Sequence, residues 1–151
     1  MEVEVKIKAT AAEMFDLLMN SAKHDIEQAT GEEILLDDLV SGYTYEKKLV
    51  NKLGSEGNAT GTLAKIEKPH IYEAEFSTIR GVNKLSYELK PLEDGYLNVI
   101  YKEHYEPISK NAELNFKFTN FFYKNSVKKR MVRMIYMMEA HIRNSNENNS
   151  A

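Results

Sequence analysis

The residues best placed for chemistry are the five in Tyr101-Lys102-Glu103-His104-Tyr105. Side chains alternate between the faces of a strand, so Leu97, Val99, Tyr101, Glu103 and Tyr105 share one face. Asn98, Ile100, Lys102 and His104 share the other. If Leu97 and Val99 point inward, Glu103 is an inward carboxylate flanked by two phenols. A carboxylate taken out of water holds its proton more tightly, and neighbouring hydroxyls can orient it or share that proton. This chemistry would serve acid–base catalysis or recognition of a ligand's polar head. The blander alternative is a carboxylate at the rim, paired with a cation. Arg80, which continues the parity of Tyr72, Ala74, Phe76 and Thr78, is a candidate partner.

Other constellations offer less. His24 and Glu27 have the i, i+3 spacing that lets two side chains face one ion, but no second motif supplies further ligands. His70, His104 and His141 are scattered, and neither an HExxH helix nor a GxSxG elbow is present. The absence of cysteine excludes disulfides, thiol catalysis and thiolate metal sites. Gly54, Gly57 and Gly61 read as hairpin material, because no helix follows them as a dinucleotide loop requires. No catalytic residue, metal or cofactor is assigned.

Apolar residues suggest binding instead. Seven of the nine tyrosines, Tyr43, Tyr45, Tyr72, Tyr87, Tyr96, Tyr101 and Tyr105, fall in strand-like segments. Tyrosine packs on a pleated surface and keeps one polar tip, which suits either a plain sheet or a wet, amphipathic cavity. Near the C-terminus Val127, Met131, Met134, Ile135, Met138 and Ile142 recur at helical steps. Methionine is unbranched and polarizable, so such a stripe could be core or a wall tolerant of ligand shape. Lys124, Lys128, Lys129, Arg130 and Arg133 flank it as a solvated face.

The elements that would position these residues are readable in turn. EVEVKIK alternates as a half-buried strand. Thr10 and Glu13 then form a capping box for a helix with Ala11, Phe15, Leu18, Ala22, Ile26 and Ala29 on one face. Thr30-Gly31 is its stop, and Asn20-Ser21 could split it in two. Segments 43–50, 58–67, 71–79, 82–90 and 96–105 are rich in tyrosine, threonine and branched residues. The short turns between them imply an antiparallel meander. EPISKNAELNFKF reads as irregular, followed by a helix from Thr119-Asn120 to about Arg143. One domain over residues 1–144 and a polar, frayed tail over 145–151 are expected.

Composition narrows the function classes. Hydrophobic content of 42% and charged content of 28% suit a globular protein, and no apolar run approaches the roughly 20 residues that cross a bilayer. An acidic, alternating N-terminus is not a secretory signal, so a cytoplasmic location is expected. Residues 1–106 carry 12 Lys/Arg against 20 Asp/Glu, a balance of −8. Residues 107–151 carry 8 against 3, a balance of +5. One basic patch on an acidic chain with no reader motif is weak support for nucleic acid, and membrane-surface binding is little better supported. An acidic protein partner fits the basic helix face.

This order of elements, opening on EVEVKIKATAAEMFDLL, resembles the helix-grip fold of the START and Bet v 1-like (SRPBCC) superfamily. More narrowly, HDIEQATG and SGYTYEKKL resemble a family of small proteins from low-GC Gram-positive bacteria, often encoded near sugar phosphotransferase genes. That family carries no established activity. The resemblance implies an α+β fold in which a curved antiparallel sheet wraps a long C-terminal helix, with a cavity between them. The expected function is non-catalytic binding of a small hydrophobic or amphipathic molecule there. Tyr72, Phe76, Tyr87, Tyr101, Met131, Met134 and Met138 are the expected walls, with Glu103 as polar anchor. The alternatives are an interaction module linked to sugar uptake, or a cyclase- or hydrolase-like enzyme using Glu103.

Overall fold

The computed structural model describes residues 1–50, 56–108 and 110–150, with the side chains of 50, 56 and 110–124 left aside. Its elements run β1 (Glu2–Lys8), α1 (Ala11–Thr30), β2 (Thr44–Val50), β3 (Glu56–Glu67), β4 (Ile71–Thr78), β5 (Gly81–Pro91), β6 (Tyr96–Pro107) and α2 (Lys110–Asn149). The strands form one curved antiparallel sheet in the order β1-β6-β5-β4-β3-β2. Strands β2 to β6 are therefore a meander, and the first strand closes onto the last. Together with the long final helix this is the α+β helix-grip arrangement.

Alternation decides which face is buried. Val3, Val5 and Ile7 of β1 are buried while Glu2, Glu4, Lys6 and Lys8 are exposed. They lie opposite Tyr101, Val99 and Leu97 of β6, all buried on the same concave face. Each such side chain stabilises the fold by about 1.5–3 kcal/mol. In β3 the register shifts between Leu63 and Lys65, which lets Leu63 pair with Ala74 and Ile66 with Tyr72. One extra residue at this bulge exchanges odd for even numbering while keeping the apolar side chains inward.

Helix α1 begins at the expected capping box: Thr10 Oγ1 accepts from the Glu13 amide at 3.1 Å, and Glu13 accepts from the Thr10 amide at 2.9 Å. It ends at Gly31, whose φ of 73° is the left-handed conformation a glycine adopts freely. Asn20-Ser21 does not split it. The Asn20 amide bonds the Asp16 carbonyl one turn back, and the helix runs through uninterrupted. Met14, Phe15, Leu18, Met19, Ala22 and Ile26 are its buried face.

Helix α2 differs from expectation at both ends. It starts at Lys110, not near Thr119. Ala112, Leu114, Phe116 and Phe118 alternate with period two, a pattern that conceals a helix from a reading of periodicity. At the other end the stretch from 145, expected to fray, is helical to Asn149. Asn146 donates to Glu13 at 2.6 Å, and two turns earlier Glu139 accepts from the Lys8 amide at 2.6 Å. These bonds fasten α2 to the corner between β1 and α1. The helix packs against β1, β6 and α1.

A tyrosine ladder beside an oriented carboxylate

Cross-strand register arranges the candidate residues as three rows over three strands. Tyr72, Tyr87 and Tyr101 are direct neighbours across β4, β5 and β6. Ala74, Leu85 and Glu103 form the next row, and Phe76, Asn83 and Tyr105 the third. The first row is buried and its rings meet edge to face. Centroids are 6.2 Å apart for Tyr72 and Tyr87 and 4.9 Å for Tyr87 and Tyr101. Such pairs are worth about 0.5–1.5 kcal/mol beyond their burial. In the other rows Phe76, Asn83, Leu85, Glu103 and Tyr105 are half-buried.

Glu103 points inward, as the parity of β6 requires. Its Oε2 accepts from the Tyr101 hydroxyl at 2.9 Å and its Oε1 accepts from the Asn83 amide at 2.9 Å. Arg80 is not its partner; Arg80 sits exposed in the turn after β4, its amide bonded to the Thr78 hydroxyl. The Glu103 backbone is also tied down. The Met1 amino group donates to its carbonyl at 2.9 Å, and its amide donates to the Met1 carbonyl at 2.9 Å. Two donors on the carboxylate and two backbone bonds hold the group in one orientation.

A second carboxylate stands beyond the other end of the ladder. Asp25 of α1 accepts from the Tyr45 hydroxyl at 2.7 Å and from the Lys47 ammonium at 2.5 Å. That ammonium also lies 5.9 Å from the centroid of the Phe76 ring. The charges of Asp25 and Glu103 act on the phenols between them. Burial, then Asp25, pushes Tyr72 up to about 12. Burial foremost, then the neighbouring acids and phenols, raises Tyr45, Tyr87 and Tyr101 beyond that. Among the described residues, Arg130 on α2 opposes the rise at Tyr101. The phenols are thus held protonated, able to donate and accept hydrogen bonds.

The helix contributes less than its sequence suggested. Met131 is buried and Met138 half-buried, both in the core that includes Tyr72, Tyr87 and Tyr101. Met134 does not join that wall: it is 41% exposed. It lies about 60° round the helix from Met131, at the edge of the stripe centred on Ile135. Asn83, Asp25, Tyr45 and Lys47 are the site residues that sequence reasoning missed. Two of them left a signal. Asn83 continues the inward parity of Leu85, Tyr87 and Leu89, and Asp25 stands three residues after Ala22 and four before Ala29, within the apolar stripe.

A depression of about 610 Å³ is lined by Glu103, Leu85, Ala74, Met1 and Lys128 together with Glu73, Glu75, Lys84, Ser86, Lys102 and His104, among others. Glu103 is therefore part of this charged depression, which also holds the Lys128 side chain. No helix of the described residues is long and apolar enough to cross a membrane.

Solved structures share this architecture. A conserved protein from Geobacillus kaustophilus superposes with a TM-score of 0.58 at 16% identity, with 95% of each chain covered. Ara h 8.0201 gives 0.60 at 12% identity over 94% of this chain and 95% of its own. A protein of Thermus thermophilus gives 0.60 at 10% identity over 96% and 97%. At such identities the likeness is one of fold. No curated protein matches the sequence. A family model does match, over residues 1–124, which takes in the whole sheet with its tyrosines and Glu103. By that match the chain belongs to the family described as Domain of unknown function (DUF3284).

Proposed function

We propose that this protein binds a small hydrophobic or amphipathic molecule, without transforming it, on the concave face of the sheet beneath α2. Tyr72, Phe76, Tyr87, Tyr101, Met131 and Met138 are its walls and Glu103 its polar anchor. The observation that carries this reading is the oriented, half-buried Glu103 carboxylate next to a three-tyrosine ladder. Ligand sites combine a mostly apolar wall with a few placed polar groups, and this face has that composition. Residues 1–144 act as the binding domain in this reading. A thermal-shift screen against lipids, aromatics and polyketide-like compounds tests it. A binder saturating at 100 times its Kd adds about 2.7 kcal/mol of stability. If no compound of any class raises the melting temperature, the reading is wrong.

A second reading has its own observation. The outward side of α2 exposes Met134, Tyr136 and Met137 alongside Lys129, Arg130 and Arg133. Apolar area ringed by cations suits docking to an acidic protein, and the family resemblance suggests a role linked to sugar uptake. Reversal of Lys128, Lys129 and Arg133 to glutamate is then expected to abolish capture of that partner while the fold persists. Capture that survives reversal at physiological salt rules this reading out.

A further inference from the structure

We propose that the acidic partner of α2 is a second copy of this chain. The loop after α1, residues 31–40, docks on the outward face of α2, residues 128–137, of a neighbouring molecule. This inference rests on the second reading above, which places a dock on that face, and names its occupant.

The two segments are complements in charge and alike in hydrophobicity. Residues 31–40 carry Glu32, Glu33, Asp37 and Asp38 and no base, while residues 128–137 carry Lys128, Lys129, Arg130 and Arg133 and no acid. Each also shows large apolar side chains to solvent. Leu35 is 70% and Val40 57% exposed, against 66% for Met137 and 50% for Tyr136. With that exposure, neither segment covers the other within one molecule. On α2, Arg130, Arg133 and Met137 recur at steps of three and four, so two cations and a methionine share one line, turned away from the buried Met131 and Ile135.

The acidic side is held ready. Ile34 and Leu36 are half-buried against the core and Leu39 is buried, which leaves Leu35 and Val40 outward. The Ile34 amide donates to the Glu27 carboxylate at 3.1 Å, and the Asp38 and Leu39 amides donate to the Leu35 and Leu36 carbonyls at 3.0 and 3.1 Å. A loop tied in this way loses little freedom on docking. It borders a depression of about 1100 Å³, room for the side chains of Tyr136 and Met137, where Lys23 is already engaged by Glu27. A contact between two such short segments is of the transient class, held by charge as much as by apolar area. Because the two faces differ, the contact either closes reciprocally between two copies or runs on from copy to copy.

Analytical ultracentrifugation of the full chain tests this. At low salt the mean mass is expected to rise with protein concentration, and raising the ionic strength from about 0.05 to about 0.5 M should weaken the association roughly tenfold. Glu33→Lys with Asp37→Lys, or Lys129→Glu with Arg133→Glu, should each weaken it about tenfold or more, with circular dichroism unchanged. An equal mixture of the two double variants should recover the association, because the reversed faces again match. Leu35→Ala and Met137→Ala leave the charge untouched and decide the question should a reversal not fold. Each is expected to weaken the association about threefold or more. A chain that stays monomeric at every concentration, an association indifferent to these residues, or a mixture that stays apart overturns self-docking. Capture of a foreign acidic protein by α2 would then still stand or fall on its own test.

Discussion

Glu103 and Asp25 each accept a hydrogen bond from a tyrosine, yet the two phenols are not equally costly to lose. Tyr101→Phe removes one of the two side-chain donors that hold the Glu103 carboxylate, whereas Tyr45→Phe leaves Asp25 with Lys47. Bonds to charged groups are worth about 1.5–3 kcal/mol, and half-burial reduces this. We expect Tyr101→Phe to cost about 1–2 kcal/mol in urea unfolding and Tyr45→Phe less. The phenols also predict an alkaline limit. Their folded pKa values are raised above the ordinary value near 10, so their contribution to stability is complete below that pH and is lost as pH rises through the folded values. In a tyrosinate absorbance titration, these four should ionise only together with unfolding. Four early titrations would contradict the ladder. At this scale parity along one strand exposed Glu103 to sequence reasoning. The Asp25–Tyr45–Lys47 cluster stayed hidden, because it joins a helix to a strand some 20 residues away and no local period encodes that contact.

Elements are held to one another by contacts that single substitutions can probe. The Tyr45 ring lies over Gly61, and a Cβ there would stand 2.5 Å from Cε1 and 2.6 Å from Cζ. Because the Asp25 bond fixes the ring, Gly61→Ala should displace it, break that bond and destabilise by about 1–3 kcal/mol. A Tyr45→Phe background, in which the ring is free to move, should soften the effect. The α1–α2 clamp makes a pH prediction. The Asn146 side chain foremost, then the Thr10 amide, lowers the Glu13 pKa below its ordinary 4.5. Glu13 therefore adds stability above that value, and the gain disappears as pH falls through the lower folded one. Asn146→Ala should raise the Glu13 pKa measured by NMR and weaken the acid limb of the stability curve. Strand boundaries were legible because tyrosine and branched residues end at clear turns. The beginning of α2 was not, since Ala112, Leu114, Phe116 and Phe118 imitate a strand, and Met134 misled because a stripe's edge and centre share the same spacing.

The whole molecule closes by joining its two ends, since β1 pairs with β6 and supports α2. Removing residues 1–8 deletes Val3, Val5 and Ile7 from the core, about 5–9 kcal/mol of burial, comparable to the entire stability of a domain. Circular dichroism of that truncation should show an unfolded chain. The tyrosine ladder has one more consequence. With no tryptophan in the chain, ultraviolet fluorescence comes chiefly from tyrosine, and three of the nine emitters stand on the concave face in mutual contact. A molecule settling there would alter that emission directly, so the protein is its own unlabelled optical sensor for whatever it holds.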